Sequence, residues 1–154
     1  PLERGGSKPQ MIKVILCRGA GNQLFQYAMG RFLSYKHGSP LRFDISWYGR
    51  ERRAYVLPRF NIVGKAINPI PSLILHKIIK KPLWQLSRRP IYYEKDHHFD
   101  ESVLSLPKSC TVSGWFQSEK YFRPISHIIR NDLSLKPESG ATTIPELRSA
   151  GREP

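Results

Sequence analysis

An apolar run, Ile12-Lys13-Val14-Ile15-Leu16, leads into Cys17-Arg18-Gly19-Ala20-Gly21, and an amphipathic stretch follows from Asn22 to His37. A strand, a glycine turn and a helix start in direct succession leave few options for the fold. They make a βα corner whose glycines let the backbone approach a ligand. The helix start there offers unpaired N–H groups and a positive dipole end. Such a corner suits a phosphate or diphosphate, and equally makes a tight connection with no ligand. The third glycine of the dinucleotide fingerprint is missing, since Leu24 stands in its place. No Gly-Lys-Ser/Thr follows, which excludes a P-loop. Asn22 has the chemistry of an N-cap.

Beyond the corner, apolar and turn residues alternate in a βα rhythm. Strands are expected at 12–17, from Pro40 through Ile45, at Ile91-Tyr92-Tyr93 and over Thr111–Phe116. Helices are expected over 22–37, closed by Gly38, and over 72–86, where Pro82 kinks or ends the run. Asp100–Leu106 reads as a helical turn. A last helix runs from a Ser118 cap to about Leu133, with Phe122, Ile125, Ile129 and Leu133 on one stripe. In the first helix Leu24, Tyr27, Ala28 and Phe32 share a face. Residues 48–71 read as irregular. The fold class is therefore α/β, a Rossmann-like parallel sheet with flanking helices. Residues 1–10 are set aside as a leader, and 137–154, rich in Ser, Thr, Pro and charge, as a disordered or non-native tail.

The net charge of +13 is uneven. Residues 11–98 hold sixteen Lys and Arg against four Asp and Glu, whereas 99–154 are balanced. That surplus exceeds what one diphosphate requires, so a small module binding nucleic acid or an anionic membrane is the competing reading. The basic stretch 72–89 carries Leu75, Ile78, Ile79, Leu83 and Leu86 at helical spacing among lysines. It reads as a core-packed helix with solvated lysines or as a peripheral membrane surface. No recognised nucleic-acid motif is present, and no nucleic-acid partner is expected. Two cysteines, Cys17 and Cys110, read as buried thiols in apolar strands, not as a disulfide framework. His97-His98-x-Asp100 does not read as a metal site, because neighbouring histidines on a strand face opposite ways.

Gly19-Ala-Gly-Asn-Gln-Leu-Phe-Gln-Tyr-Ala28 resembles the amino-terminal signature of glycosyltransferase family 11, the α-1,2-fucosyltransferases. Gly30-Arg31, Lys36-His37-Gly38, Leu41 to Trp47, Tyr55 to Ile62 and Phe99-Asp100 continue the likeness in order. Gly114-Trp-Phe-Gln-Ser-Glu-Lys-Tyr-Phe122 is similar to the family's Gly-Tyr/Phe-Trp/Phe-Gln-Ser-Glu-Lys-Tyr-Phe block. The likeness spans about residues 11 to 136. It departs at Arg18 and Ala20, and the family's His-x-Arg-Arg-x-Asp motif does not occur in the chain.

The resemblance implies the amino-terminal half of a GT-B-type galactoside α-1,2-fucosyltransferase. Residues 11–136 would be its Rossmann-like domain, missing a carboxyl-terminal partner domain and inactive alone. It implies GDP-L-fucose as donor, a galactoside acceptor, inversion and no metal or other cofactor. Donor contacts fall to Arg18, Gly19, Gly21, Asn22 and Gln23. Trp115 and Gln117 are candidate acceptor contacts with an equal claim to core and turn roles. The catalytic base is not identified. Asp44 and Glu119 are candidates, Asp44 reading equally as a turn-capping residue. The expected location is cytoplasmic, with peripheral membrane contact through 72–89 as the sharper alternative.

Overall fold

In a computed structural model, residues 10–49, 53–67 and 90–137 are described. The leader, the 72–89 basic stretch and the tail from 138 lie outside them, so the helix and membrane readings of 72–89 do too. The elements are β1 (Ile12–Ile15), α1 (Ala20–His37), β2 (Leu41–Asp44), β3 (Lys65–Ile67), β4 (Ile91–Tyr93), β5 (Cys110–Ser113) and α2 (Ser126–Asp132). Five strands form one sheet in the order β3-β2-β1-β5-β4, every neighbouring pair parallel. The α/β expectation is met at that level.

Burial follows the strand pattern. Ile12, Val14, Leu41, Phe43, Cys110 and Val112 lie in the core. Central strands covered on both sides favour such apolar runs. α1 packs on β1 and β2. It approaches so closely that a Cβ on Gly30 would sit 2.3 Å from Val14 Cγ2 and 3.1 Å from Leu41 Cδ1. Tyr27, Ala28, Met29 and Leu33 fill the interface, with Phe32 at its border. Gly38 ends the helix at φ 60, the left-handed conformation that glycine adopts without a Cβ clash.

β1 stops at Ile15 rather than 17, β5 covers Cys110–Ser113 rather than Thr111–Phe116, and three larger differences stand beside these. α1 begins at Ala20 with Gly19 as N-cap, so Asn22 is inside the first turn and caps nothing. The 48–71 segment, read as irregular, contains β3, which pairs with β2 from Arg42 to Asp44. The single helix expected after Ser118 is split. Ser118 accepts from the Lys120 amide and caps a 3-10 turn at Glu119–Tyr121. A second 3-10 turn at Arg123–Ile125 precedes α2. Pro124 lies in that second turn, where its missing N–H and its ring oppose a continuous α-helix. The stripe survives the break: Ile125 and Ile129 are buried, and Phe122 and Leu133 pack against the core.

A buried polar cluster ties the first helix to the last. Tyr27 donates to Asp132 Oδ2 at 2.7 Å, and Arg31 Nε donates to the same oxygen at 2.9 Å. The Val63 amide donates to the Tyr27 oxygen at 3.1 Å. Among the described residues no helix is long and apolar enough to cross a membrane.

Candidate functional site

The chain runs outward from β1 to β2 and β3, then reappears at the opposite edge as β4 and returns to β1 as β5. The boundary between β1 and β5 is thus the topological switch point. In open α/β sheets the crevice outside the carboxyl ends of the strands there is the expected ligand site. Two loops meet at it, Leu16–Gly19 after β1 and Gly114–Ser118 after β5.

The only two non-glycine residues at positive φ among the described residues sit in these loops, Arg18 at 71° and Phe116 at 51°. Each left-handed residue costs on the order of 1 kcal/mol and persists where the surroundings fix it. The sharp turn after β1 is therefore made at Arg18 rather than at the glycines. Gly19 has φ −74°, and a Cβ there would meet the Arg53 guanidinium at 3.0 Å. Gly21 faces open space, with nothing within 4 Å of a Cβ. The Arg18 carbonyl accepts from the Tyr48 hydroxyl at 3.2 Å and from Gln23 Nε2 at 3.3 Å. Its guanidinium lies 6.0 Å from the centre of the Trp47 ring. Trp47 and Tyr48 belong to a 3-10 turn at Ser46–Gly49. α1 has no side-chain cap and no acidic residue in its first turn. Its amino end therefore presents backbone donors and a positive dipole beside an exposed arginine, an arrangement suited to an anion.

Gln23 is fully buried. Its Nε2 donates to Ala54 O at 2.9 Å, and its Oε1 accepts from the Val56 amide at 2.8 Å. The Gln23 side chain, a candidate donor contact, brackets the 54–56 segment against α1. Asn22 lies at the corner's mouth, where its Oδ1 accepts from Gln117 Nε2 at 2.8 Å. Gln26, also fully buried, joins the two loops. Its Oε1 accepts from the Cys17 amide at 3.1 Å, and its Nε2 donates to Gly114 O at 2.8 Å. Both glutamines stand on the buried face of α1.

The loop after β5 is held by Glu94, which sequence reasoning passed over. Its amide donates to Ser113 O at 2.9 Å, adding one more rung beyond β4. Its carboxylate accepts from the Trp115 amide at 2.5 Å and from the Phe116 amide at 3.1 and 3.2 Å. A Cβ on Gly114 would lie 2.4 Å from that of Glu94, so this latch requires glycine there. The buried Phe116 ring packs on Tyr92 and Tyr121 at 6.3 and 5.8 Å between centroids. Glu94 lies 21 residues before Trp115, and nothing local in the sequence announces the contact.

A cleft of about 380 Å³ opens beside the corner, lined by Cys17, residues 93–97 and residues 113–115. Trp115 is half-buried, and His97 stacks on it at 4.3 Å with planes 10° apart. His97 and His98 occupy a bend after β4, not the strand on which opposite facing was expected. That bend is anchored below. Tyr121 donates to His98 O at 3.3 Å and accepts from the Asp100 amide at 2.9 Å. Asp100 caps the next 3-10 turn by accepting from the Ser102 amide at 2.9 Å, and takes the Tyr92 hydroxyl at 2.7 Å. These bonds, from Ser102 first and then Tyr92, hold its carboxyl below the ordinary value of 3.8. Burial raises the Tyr92 hydroxyl above its ordinary range.

The two candidate carboxylates have structural partners. Asp44 Oδ1 accepts from the Ser46 amide at 3.1 Å and its hydroxyl at 2.7 Å, and Oδ2 lies 3.5 Å from Lys13 Nζ. Asp44 thus caps the turn that begins at Ser46. Glu119 is exposed and pairs with Arg123 one helical turn on, at 2.8 Å. Neither meets the Arg18–Asn22 corner through any described hydrogen bond. Cys110 is buried as expected, whereas Cys17 is half-buried, lies past the end of β1 and lines the cleft.

Comparison with family models, with curated proteins and with solved structures finds no match to this chain.

Proposed function

We propose that this chain is the amino-terminal, Rossmann-like domain of a GT-B-type galactoside α-1,2-fucosyltransferase that takes GDP-L-fucose as donor. One observation carries the reading. The two blocks that resemble the family's signatures, 19–28 and 114–122, lie far apart in sequence, yet Asn22 and Gln117 are hydrogen-bonded across 95 positions at the switch point. Gln26 and Gly114 make the same connection one layer deeper.

In this reading the acceptor 2-hydroxyl attacks the anomeric carbon. The carbon–oxygen bond to GDP breaks, and the electron pair leaves with the diphosphate. The amino end of α1 and Arg18 stabilise that developing charge. Gly19 and Gly21 contribute backbone rather than side chains, and Asn22 orients beside them. Gln23 serves by fixing the corner from beneath. The hydroxyl proton must go to a base, and of the two candidates Asp44 is bonded to Ser46 and Glu119 to Arg123.

Calorimetric titration with GDP and ADP tests the proposal. Saturable GDP binding, weakened at least several-fold by Arg18→Ala, is expected, with ADP clearly weaker. Arg18 is exposed, so the variant should fold. Equal binding of both nucleotides, or none, refutes the reading. RNA binding that falls steeply with salt in the absence of GDP binding would favour the alternative suggested by the charge of +13.

A further inference from the structure

We propose that Arg53 is a second cationic contact for a diphosphate at the corner, and that position 19 is glycine so that the Arg53 guanidinium can lie there. For the identity of the nucleotide, GDP, this rests on the transferase reading; for the diphosphate, it rests on the corner itself. A Cβ on Gly19 would stand 3.0 Å from Arg53 Nη1, so the guanidinium lies over the Gly19 backbone. Gly19 needs no glycine for its own conformation, because φ −74° and ψ 174° are open to any residue. The crowding is particular to this position, since Gly21 meets nothing within 4 Å. What a side chain at position 19 would displace is the arginine.

Arg53 is exposed, and among the described residues its guanidinium meets no carboxylate. A solvated arginine ordinarily samples many rotamers. This one is carried by a fixed neighbour. The buried Gln23 amide takes the Ala54 carbonyl at 2.9 Å and the Val56 amide at 2.8 Å, and Tyr55 packs on Tyr48 at 5.8 Å between centroids. The backbone next to Arg53 is thus set before a ligand arrives, which lowers the freedom lost on binding. Beside the guanidinium, α1 makes its first helical bond from the Gln23 amide to Gly19 O at 3.2 Å. The amides of Ala20, Gly21 and Asn22 precede that bond and have no backbone acceptor. With Arg18, the corner offers two guanidiniums and three amides, and the first turn of α1 holds no acidic residue. A single carboxylate has two oxygens and would leave most of these donors unused. A diphosphate has oxygens enough for all of them, and the planar fork of arginine matches phosphate geometry.

The test is calorimetric titration of the 154-residue chain and its variants with GDP, ADP and inorganic pyrophosphate at low salt. Arg53→Ala, at an exposed position, should weaken GDP and pyrophosphate alike, by at least about fivefold. Gly19→Ala should weaken both by a similar factor when Arg53 is present. In the Arg53→Ala background it should cost less than about twofold, because its methyl group acts by displacing the guanidinium. GDP binding unchanged by Arg53→Ala overturns the contact and leaves the transferase reading standing. A Gly19→Ala loss of equal size in both backgrounds also overturns it, since the glycine would then serve something other than Arg53. Arg53-dependent pyrophosphate binding, with GDP no tighter than ADP, upholds the contact and refutes the transferase reading. Silence towards all three ligands overturns both.

Discussion

Gln26→Leu removes the side chain that joins the two loops of the switch point while keeping a similar volume. The wild-type amide is fully buried and serves the Cys17 N–H at 3.1 Å and the Gly114 carbonyl at 2.8 Å. Its contact with Cys17 Sγ at 3.3 Å adds little, since thiols accept weakly. Leucine leaves one donor and one acceptor without these partners, at about 1–3 kcal/mol each. Burying an isobutyl group instead of an amide returns about 1–2 kcal/mol. The net loss should be about 2.5 kcal/mol, the middle of that range. In urea, with a slope of about 2 kcal/mol per molar for a domain of this size, the midpoint should fall by about 1.2 M. The slope itself should not change, because the same surface is exposed on unfolding. A loss below about 0.5 kcal/mol, typical of a surface change, would falsify the argument that Gln26 clamps the β1 and β5 loops.

Two other predictions concern titratable side chains. Burial raises the Tyr27 hydroxyl well above its ordinary 10.0, with the bond to Asp132 acting in the same direction and the Val63 amide opposing. The folded state thus resists losing that proton. The contribution of Tyr27 is complete below pH 10.0 and is lost as pH climbs beyond it toward the raised value. Tyr27→Phe should cost about 1–2 kcal/mol at neutral pH and flatten the alkaline fall in stability, measured by urea melts from pH 8 upward. An unchanged alkaline slope would contradict it. The two thiols should also separate. Cys110 is buried and its thiol is pushed up to about 11 by desolvation, whereas Cys17 is half-buried at the cleft. A disulfide reagent should modify Cys17 in the native protein and reach Cys110 only at the rate of unfolding. Equal rates in native buffer would argue against this packing.

Much of the frame was legible because it depends on local rules. β1, β2, β4 and β5 follow apolar runs bounded by turn residues. Gly38 and the caps at Asp100 and Ser118 act within a few positions of themselves. The failures have physical causes of two kinds. β3 is a three-residue edge strand, Lys65–Ile67, with two exposed members, and it exists because β2 offers a ladder, not because its residues demand one. At the corner, Asn22 has the chemistry of a cap, while the backbone turns earlier, at Arg18, and α1 starts with no side-chain cap. The site residues divide the same way. Arg18, Asn22, Trp115 and Gln117 stood out as types and do gather at the switch point. Glu94 acts through contacts at 21 residues' separation and Gln23 through contacts at 31 and 33, distances over which sequence spacing carries no signal.

The strand order also dictates when the domain can form during synthesis. β1, at the start of the fold, is paired on one side by β2, made soon after it, and on the other by β5, from Ile12↔Cys110 to Ile15↔Ser113. Until Ser113 has left the ribosome, the first three strands can assemble only with the inner edge of β1 unpaired. Their last tie, from Tyr27 to Asp132, spans 105 residues. Such non-local closure slows folding, and the waiting edge of β1 is a template for pairing with another nascent chain. Nascent chains stalled before β5 should therefore be aggregation-prone and protease-sensitive, and chains stalled well beyond Asp132 should be neither.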